Sequence, residues 1–207
     1  MKHGKIFFIS GPSGVGKGTL IRIFKEKFQE DFVFPPSCTT RDPRPGEVDG
    51  ETYYFITKEE FEKRIENDEF LEYAQVHNGN YYGTLKEKLV KPALQGKNVI
   101  REIDVQGFTQ ARERLDRDLY TSIFFMPDFD LSILIKRIKG RAPMTDEEVE
   151  QRHESMKKEL AKSDIYDHLL YTTDQDIPGN VVKLENIIFN EIIDHEEKRE
   201  KKRLCID

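Results

Sequence analysis

Nine residues near the N-terminus, Gly11-Pro12-Ser13-Gly14-Val15-Gly16-Lys17-Gly18-Thr19, have the types and spacing to hold a phosphate. A phosphate is bound by converging backbone N–H donors. Only a glycine-rich turn lets the main chain come that close while the helix behind it directs its N-terminal dipole at the anion. Lys17 adds a point charge for β- and γ-phosphates, and the spacing from Gly11 to Gly16-Lys17 is that of the P-loop pattern. An ordinary tight turn is the alternative, and the flanking strand and helix signals outweigh it. One position departs from the pattern: Gly18 stands where a Ser or Thr hydroxyl usually ligates magnesium, and Thr19 comes one step later. Magnesium is therefore expected with no direct protein ligand, through phosphates and water, which suits an ion that dehydrates reluctantly. The departure argues against a GTPase. So does the lack of an NKxD guanine-reading motif, although Asp104-Val105-Gln106-Gly107 has the form DxxG.

A second set lies between Ser37 and Gly50, where Arg41 and Arg44 sit three residues apart in a loop stiffened by Pro43 and Pro45, with Tyr53 close behind. Two guanidinium groups on such a loop can converge on one phosphate, because their paired donors match its oxygens. Taken alone, the pair reads equally well as a solvated surface loop. Tyr81-Tyr82 adds hydroxyls further on, and by itself reads as packing.

The elements that must position these residues follow from periodicity. Ile6–Ile9 is an apolar strand, and Leu20–Phe28 has helical spacing. Phe32–Pro36 breaks it with aromatics and paired prolines. Residues 37–56 are polar and turn-rich and end in a short strand signal, Tyr53–Ile56. Thr57-Lys58-Glu59-Glu60 is a capping box opening a helix with Phe61, Ile65 and Phe70 expected on its inner face. Phe70–Ala74 and Asn80–Thr84 are extended pieces around a turn at Asn78-Gly79, so this region reads as an inserted mixed subdomain. Asn98–Val105 and Tyr120–Met126 are strands, with a helix from Thr109 to Leu115 between them. Leu131–Ile138 is helical up to Gly140, and Thr145-Asp146-Glu147-Glu148 caps a charged helix reaching Ser163. Asp167–Thr172 is a last strand, and Val182, Ile187, Ile188, Ile192 and Ile193 mark a closing amphipathic helix. Strands alternating with helices predict an α/β fold with a mostly parallel sheet flanked by helices. The glycine loop would then lie at the C-terminal end of the first strand, where open α/β sheets bind ligands.

The chain has 207 residues, enough for one good core with small appendages. A formal net charge of −6 opposes nonspecific nucleic-acid binding. Cys38 and Cys205 show neither a disulfide framework nor metal-ligand spacing, which fits reducing cytosol. The apolar run after Met1-Lys2-His3 is too short for a signal peptide, and no stretch is long enough to cross a bilayer. A cytoplasmic protein with neither nucleic-acid nor membrane partners is expected. Monomer and homo-oligomer are both compatible with the sequence.

Five segments in order carry a resemblance over nearly the whole chain. GPSGVGKGT, SCTTRDPRPGE with DGETYYF, FLEYAQVHNGNYYGT, EIDVQG, and a GR-containing segment before TDEEVEQR together resemble the guanylate kinase family. The resemblance implies a P-loop kinase fold with core 1–36, 94–137 and 154–207, an inserted GMP-binding subdomain 37–93 and a helical lid 138–153. It implies transfer of the γ-phosphoryl group of ATP to GMP, or dGMP, with Mg2+ as cofactor. ATP would lie on Gly11, Pro12, Ser13, Gly14, Val15, Gly16, Lys17, Gly18 and Thr19. The GMP phosphate would lie on Arg41, Arg44, Tyr53 and Tyr82, and the base on the carboxylates Glu72 and Asp104 with the hydroxyls Ser37 and Thr84. Glu102 is placed near magnesium and the phosphates. Lys17, Arg41, Arg137, Arg141 and Arg152 are implied as the catalytic cations. Without the resemblance, Glu72 reads as an exposed strand carboxylate, Asp104 as a strand-end cap and the three later arginines as solvated helix faces.

The chain departs from the family pattern in three places, one of them His77-Asn78, which adds length to the turn before Gly79. Thr172 and Thr173 stand where Asn followed by Asp is common near the adenine, and Arg101 stands where an apolar residue is commoner. Arg101 is expected to face solvent or to pair with Glu102. The rival readings are a P-loop kinase with another phosphorylated acceptor and a non-catalytic guanylate-kinase-like peptide-binding module. Against the latter, the chain keeps Lys17 and its glycines.

Overall fold

The computed structural model describes residues 3–76, 79–140 and 144–204, and the chain divides into two compact units. One is built from Glu30–Tyr120 with the residues leading up to Ile6, the other from Phe7–Gln29 with the chain from Thr121 onward.

The first unit carries a parallel pair, β2 (Phe32–Val33) with β7 (Asn98–Glu102), in which Phe32 faces Asn98 and Val33 faces Val99. It also carries a four-stranded sheet in the order β4 (Tyr53–Phe55), β3 (Ser37–Thr39), β6 (Tyr81–Leu85), β5 (Phe70–Gln75). β3 runs parallel to β4 and antiparallel to β6, and β6 runs antiparallel to β5 with Glu72 opposite Thr84. Helix α2 (Lys58–Glu66) starts as its sequence indicates, with the Thr57 hydroxyl accepting from Glu60 N–H at 3.1 Å. The reciprocal half of the expected box differs, since the Glu60 carboxylate accepts instead from Arg64 at 2.7 Å. The inner face of α2 buries Phe61, stacked between Phe70 at 4.1 Å and Tyr81 at 5.0 Å. Phe70 thus meets Phe61 from β5 and not from the helix itself. With Cys38 and Leu85 these rings form the core of the small sheet, worth about 3–5 kcal/mol for a fully buried phenyl ring lost to alanine.

Helix α3 (Lys86–Leu94) follows β6 directly and buries Leu89 and Ala93. The sequence reading assigns no element to these residues. Pro92 falls in the last turn, where the helix is ending, and the Gln95 N–H closes the end on Lys91 and Pro92 carbonyls. The strand expected through Val105 stops at Glu102, because Asp104 caps helix α4 (Val105–Arg114) by accepting the Gly107 N–H at 2.6 Å.

The second unit carries β1 (Ile6–Ser10), β8 (Tyr120–Pro127) and β9 (His168–Thr172) as neighbours in that order, with β8 and β9 parallel. β1 is fully buried, which is why it reads as a continuous apolar run rather than an alternating one. Helix α1 (Lys17–Phe28) buries Leu20 and Phe24 and packs on α7 (Ile177–Leu204), where Phe28 meets Phe189 edge-on at 5.1 Å and Lys27 pairs with Glu185 at 2.6 Å. Helices α5 (Leu131–Lys139) and α6 (Asp146–Leu160) complete the unit. α6 opens on a full capping box, with Thr145 accepting from Glu148 N–H at 3.2 Å and Glu148 accepting from Thr145 N–H at 2.7 Å. Among the described residues no helix is long and apolar enough to cross a membrane.

Candidate active site

The glycine loop joins β1 to α1, as the residues require. Gly11 has φ 143°, and a Cβ there would stand 2.7 Å from the Phe125 carbonyl oxygen, so the loop leaves the strand against β8 only as glycine. Gly16, at φ 107°, is the N-cap of α1 and brings no side chain to cap the helix's first turn. Lys17 lies back across this loop, its Nζ donating to Gly11 O at 2.6 Å and Pro12 O at 3.2 Å. Gly18 and Thr19 are exposed in the first turn, and nothing lies within 4 Å of the Cβ position of Gly18.

Beside the loop lies a cavity of about 490 Å³, lined by Gly14 to Gly16, Thr19, Leu20, Phe129, Arg137 and Gly140, and by Thr173, Gln175 to Ile177 and Asn180. Arg137 reaches it from α5, donating to Gly14 O at 3.0 Å and to the Asp174 carboxylate, with its guanidinium 5.1 Å from the Phe129 ring centre. Asp174 and Phe129 hold this arginine, and the sequence reading assigned neither. The signal for Asp174 was an acidic residue immediately after the Thr172-Thr173 departure. The departure itself is structural in part: buried Thr172 donates to Met126 O at 3.2 Å. The Thr173 backbone is clasped by Asn180, which accepts from its N–H at 2.9 Å and donates to its O at 2.8 Å. Arg152 is exposed on α6, apart from the cavity lining, and Arg141 lies outside the described residues. His153 shares its face of α6 with Glu150 and Glu154, their ligand atoms within 4.8 Å of one another. An exposed acidic face of this kind is common without an ion.

In the first unit the loop from Thr40 to Gly50 carries Arg41 into a cluster. Its guanidinium donates to both Glu47 carboxylate oxygens at 2.6 Å and to Asp42 O at 2.8 Å, and it lies 5.0 Å from the Tyr53 ring centre. Tyr53 and Tyr82 meet edge-on at 6.0 Å, which brings three of the four expected phosphate ligands together. Arg44 is exposed on the same loop, its backbone N–H donating to Glu47 at 2.8 Å. Glu47, which the sequence reading quoted without a role, organises both arginines. They hold its carboxyl down at about 2, first through the Arg41 hydrogen bond and then through the Arg44 N–H.

The base-reading candidates also gather in this unit. Glu72 on β5 accepts the Thr84 hydroxyl from β6, and its other oxygen lies 3.0 Å from where a Gly107 Cβ would stand. Burial raises the Glu72 carboxyl above its ordinary range, opposed by the Thr84 hydroxyl and the charge of Arg101 and reinforced by Asp104. Asp104 is exposed and caps α4, so the cap reading and the site reading describe one carboxylate with two oxygens. Glu102 is exposed at the end of β7. Arg101 does not face solvent as expected. It turns inward and donates through Nε to Thr84 Oγ1 at 3.1 Å, through Nη1 to Pro35 O at 3.0 Å, and through Nη2 to Ser37 Oγ.

Comparison with known proteins agrees with these features. Residues 3–191 match the family model described as guanylate kinase. A guanylate kinase from Clostridium tetani is 41% identical over 189 residues, covering 91% of this chain and 86% of the relative. One from Latilactobacillus sakei is 40% identical over 189 residues, covering 91% and 90%. The crystal structure of guanylate kinase from Anaplasma phagocytophilum superposes with a TM-score of 0.69 at 29% identity, covering 92% of this chain and 87% of that one. With a glycine loop on a buried strand, an arginine–tyrosine cluster, a carboxylate set in a small sheet and a family model spanning most of its length, the chain belongs to the guanylate kinase family.

Proposed function

We propose that the protein transfers the γ-phosphoryl group of ATP to GMP, giving ADP and GDP, with the glycine loop as donor site and the small-sheet unit as acceptor site. The observation that carries this reading is Glu72, a carboxylate set in a small sheet, fixed by Thr84 and sharing its unit with the Arg41–Tyr53–Tyr82 cluster. Guanine presents N1–H and an exocyclic amino group as neighbouring donors, and a carboxylate accepts both. AMP offers no such pair and would leave the carboxylate unsatisfied, which is how polar sites reach large discrimination. Arg41, Arg44, Tyr53 and Tyr82 then take the GMP phosphate.

Phosphoryl transfer asks the protein for alignment and positive charge rather than covalent chemistry. Lys17 supplies a fixed cation at the donor phosphates. Arg137, anchored by Asp174, supplies a second from the wall of the ATP cavity, and Arg141 and Arg152 belong to a closing lid. The donor set of the loop fits a hydrated Mg2+: exposed Thr19 and the open space beside Gly18 leave room for water around the ion. A bound magnesium would supply positive charge that offsets the charge of the phosphates. The buried reduced thiol of Cys38, pushed up to about 11 by burial, suits a reducing cytosol. A coupled assay with ATP, magnesium and GMP, dGMP, AMP or UMP tests the reading. GMP should give the highest kcat/KM, and equal use of AMP would overturn the assignment of Glu72.

A further inference from the structure

We propose that Arg101 is a positioning residue of the guanine pocket, one that sets which way the hydroxyls of Ser37 and Thr84 point their protons and holds Glu72 as a carboxylate. The inference rests on the GMP reading above.

A guanidinium donates and never accepts, so the direction of each of its hydrogen bonds is unambiguous. All three nitrogens of Arg101 are engaged, on Thr84 Oγ1, Pro35 O and Ser37 Oγ. Thr84 Oγ1 therefore accepts from Arg101 and gives its single proton to Glu72 Oε1, completing a relay from β7 through β6 to β5. Ser37 Oγ accepts in the same way, so its own proton points away from the guanidinium. A proton kept clear of the guanidinium is available to a purine carbonyl at C6, while the oxygen keeps a second lone pair that can accept.

Glu72 has the same choice of sign. Ionised, it accepts from N1–H and the 2-amino group; protonated, it would offer a proton to the bare N1 of a 6-amino purine. The groups facing it are Arg101 from β7, Thr84 from β6 and Asp104 at the head of α4, so Arg101 supplies the positive charge among them. Arg101 in turn faces Glu72, Glu102, Tyr53 and the neutral thiol of Cys38.

The test compares the full-length wild type with R101L and R101K, measuring kcat, KM for GMP, AMP and ATP, and the pH profile of kcat/KM for GMP. For R101L the KM for GMP should rise by roughly 10- to 100-fold, with kcat and the KM for ATP within about threefold. The acid limb of the profile should move to higher pH and the preference for GMP over AMP should narrow. R101K keeps the charge without the fork, and should restore the acid limb while recovering little of the KM. An R101L enzyme with wild-type KM for GMP and an unmoved acid limb would overturn the proposal, as would an equal loss toward GMP and ATP with no pH shift. If R101L fails to fold, T84V breaks the relay with Arg101 in place, and an unmoved acid limb there overturns it equally. A wild type that does not prefer GMP to AMP refutes the GMP reading itself, before any variant is compared.

Discussion

At the residue scale the protein works by fixing charge ahead of its ligands. Lys17 rests on loop carbonyls, Arg41 on Glu47 and Arg137 on Asp174, so each cation is already placed and partly desolvated. Lys17→Ala should therefore lower kcat by about 10²–10³ while the Kd for GMP stays within about twofold. Steady-state kinetics and GMP titration distinguish this from the opposite pattern, which would remove Lys17 from its assigned role. Glu72 gives a pH signature. Burial holds its carboxyl above the ordinary value of 4.5, and only the ionised form accepts from guanine, so KM for GMP should rise on acidification at a higher pH than an exposed glutamate would give, with no matching rise in KM for ATP. Glu72→Gln should abolish the slope and leave KM high throughout. For stability the sign is reversed: a raised folded-state pKa means that protonating Glu72 favours the fold as pH falls, so the acid loss of affinity is not incipient unfolding.

At the element scale, helix α4 and strand β5 are packed to accommodate a carboxylate. Gly107 sits in the first turn of α4, where a Cβ would stand 2.9 Å from Ile103 Cγ1 and 3.0 Å from Glu72 Oε2. Helix propensity alone favours alanine there by about 1 kcal/mol. Gly107→Ala should nonetheless destabilise the protein by about 1–3 kcal/mol, because the neighbours it meets are a buried isoleucine and the fixed carboxylate. Thermal unfolding checks the sign, and a KM for GMP raised together with the loss would show that the displaced group is Glu72. The same packing explains why the sequence misplaces several boundaries. β3 reads as a polar loop because Ser37 and Thr39 spend their hydroxyls inside the sheet unit, on Arg101 and on Tyr81 O at 3.0 Å, and polar residues in a strand carry no hydrophobic period. α3 is short, and its buried Leu89 and Ala93 are too few to mark a helical period in the sequence.

At the scale of the whole molecule, the expected lid gives the broadest prediction. Amide exchange across the described residues 144–160 should slow when a bisubstrate analogue is added, and exchange unchanged by the analogue would count against a closing role for α6. The sequence by itself determined the phosphate loop, the buried β1 and β8, the caps of α2 and α6 and the family, because these rest on local spacing: glycines at fixed offsets, unbroken apolar runs, a threonine three residues before a glutamate. It also placed Arg101 on a strand, correctly, but sent its side chain to solvent or to Glu102 rather than onto Thr84, Pro35 and Ser37. That was decided by tertiary structure. Ser37, Thr84 and Glu72 are far from Arg101 in sequence and become its surroundings only when β3, β6 and β5 are laid side by side, as does Asp174 for Arg137. Pairings that cross tens of residues leave no periodic trace in a single chain, so the partners of each charge, and with them the polarity of the pocket, are readable only from the fold.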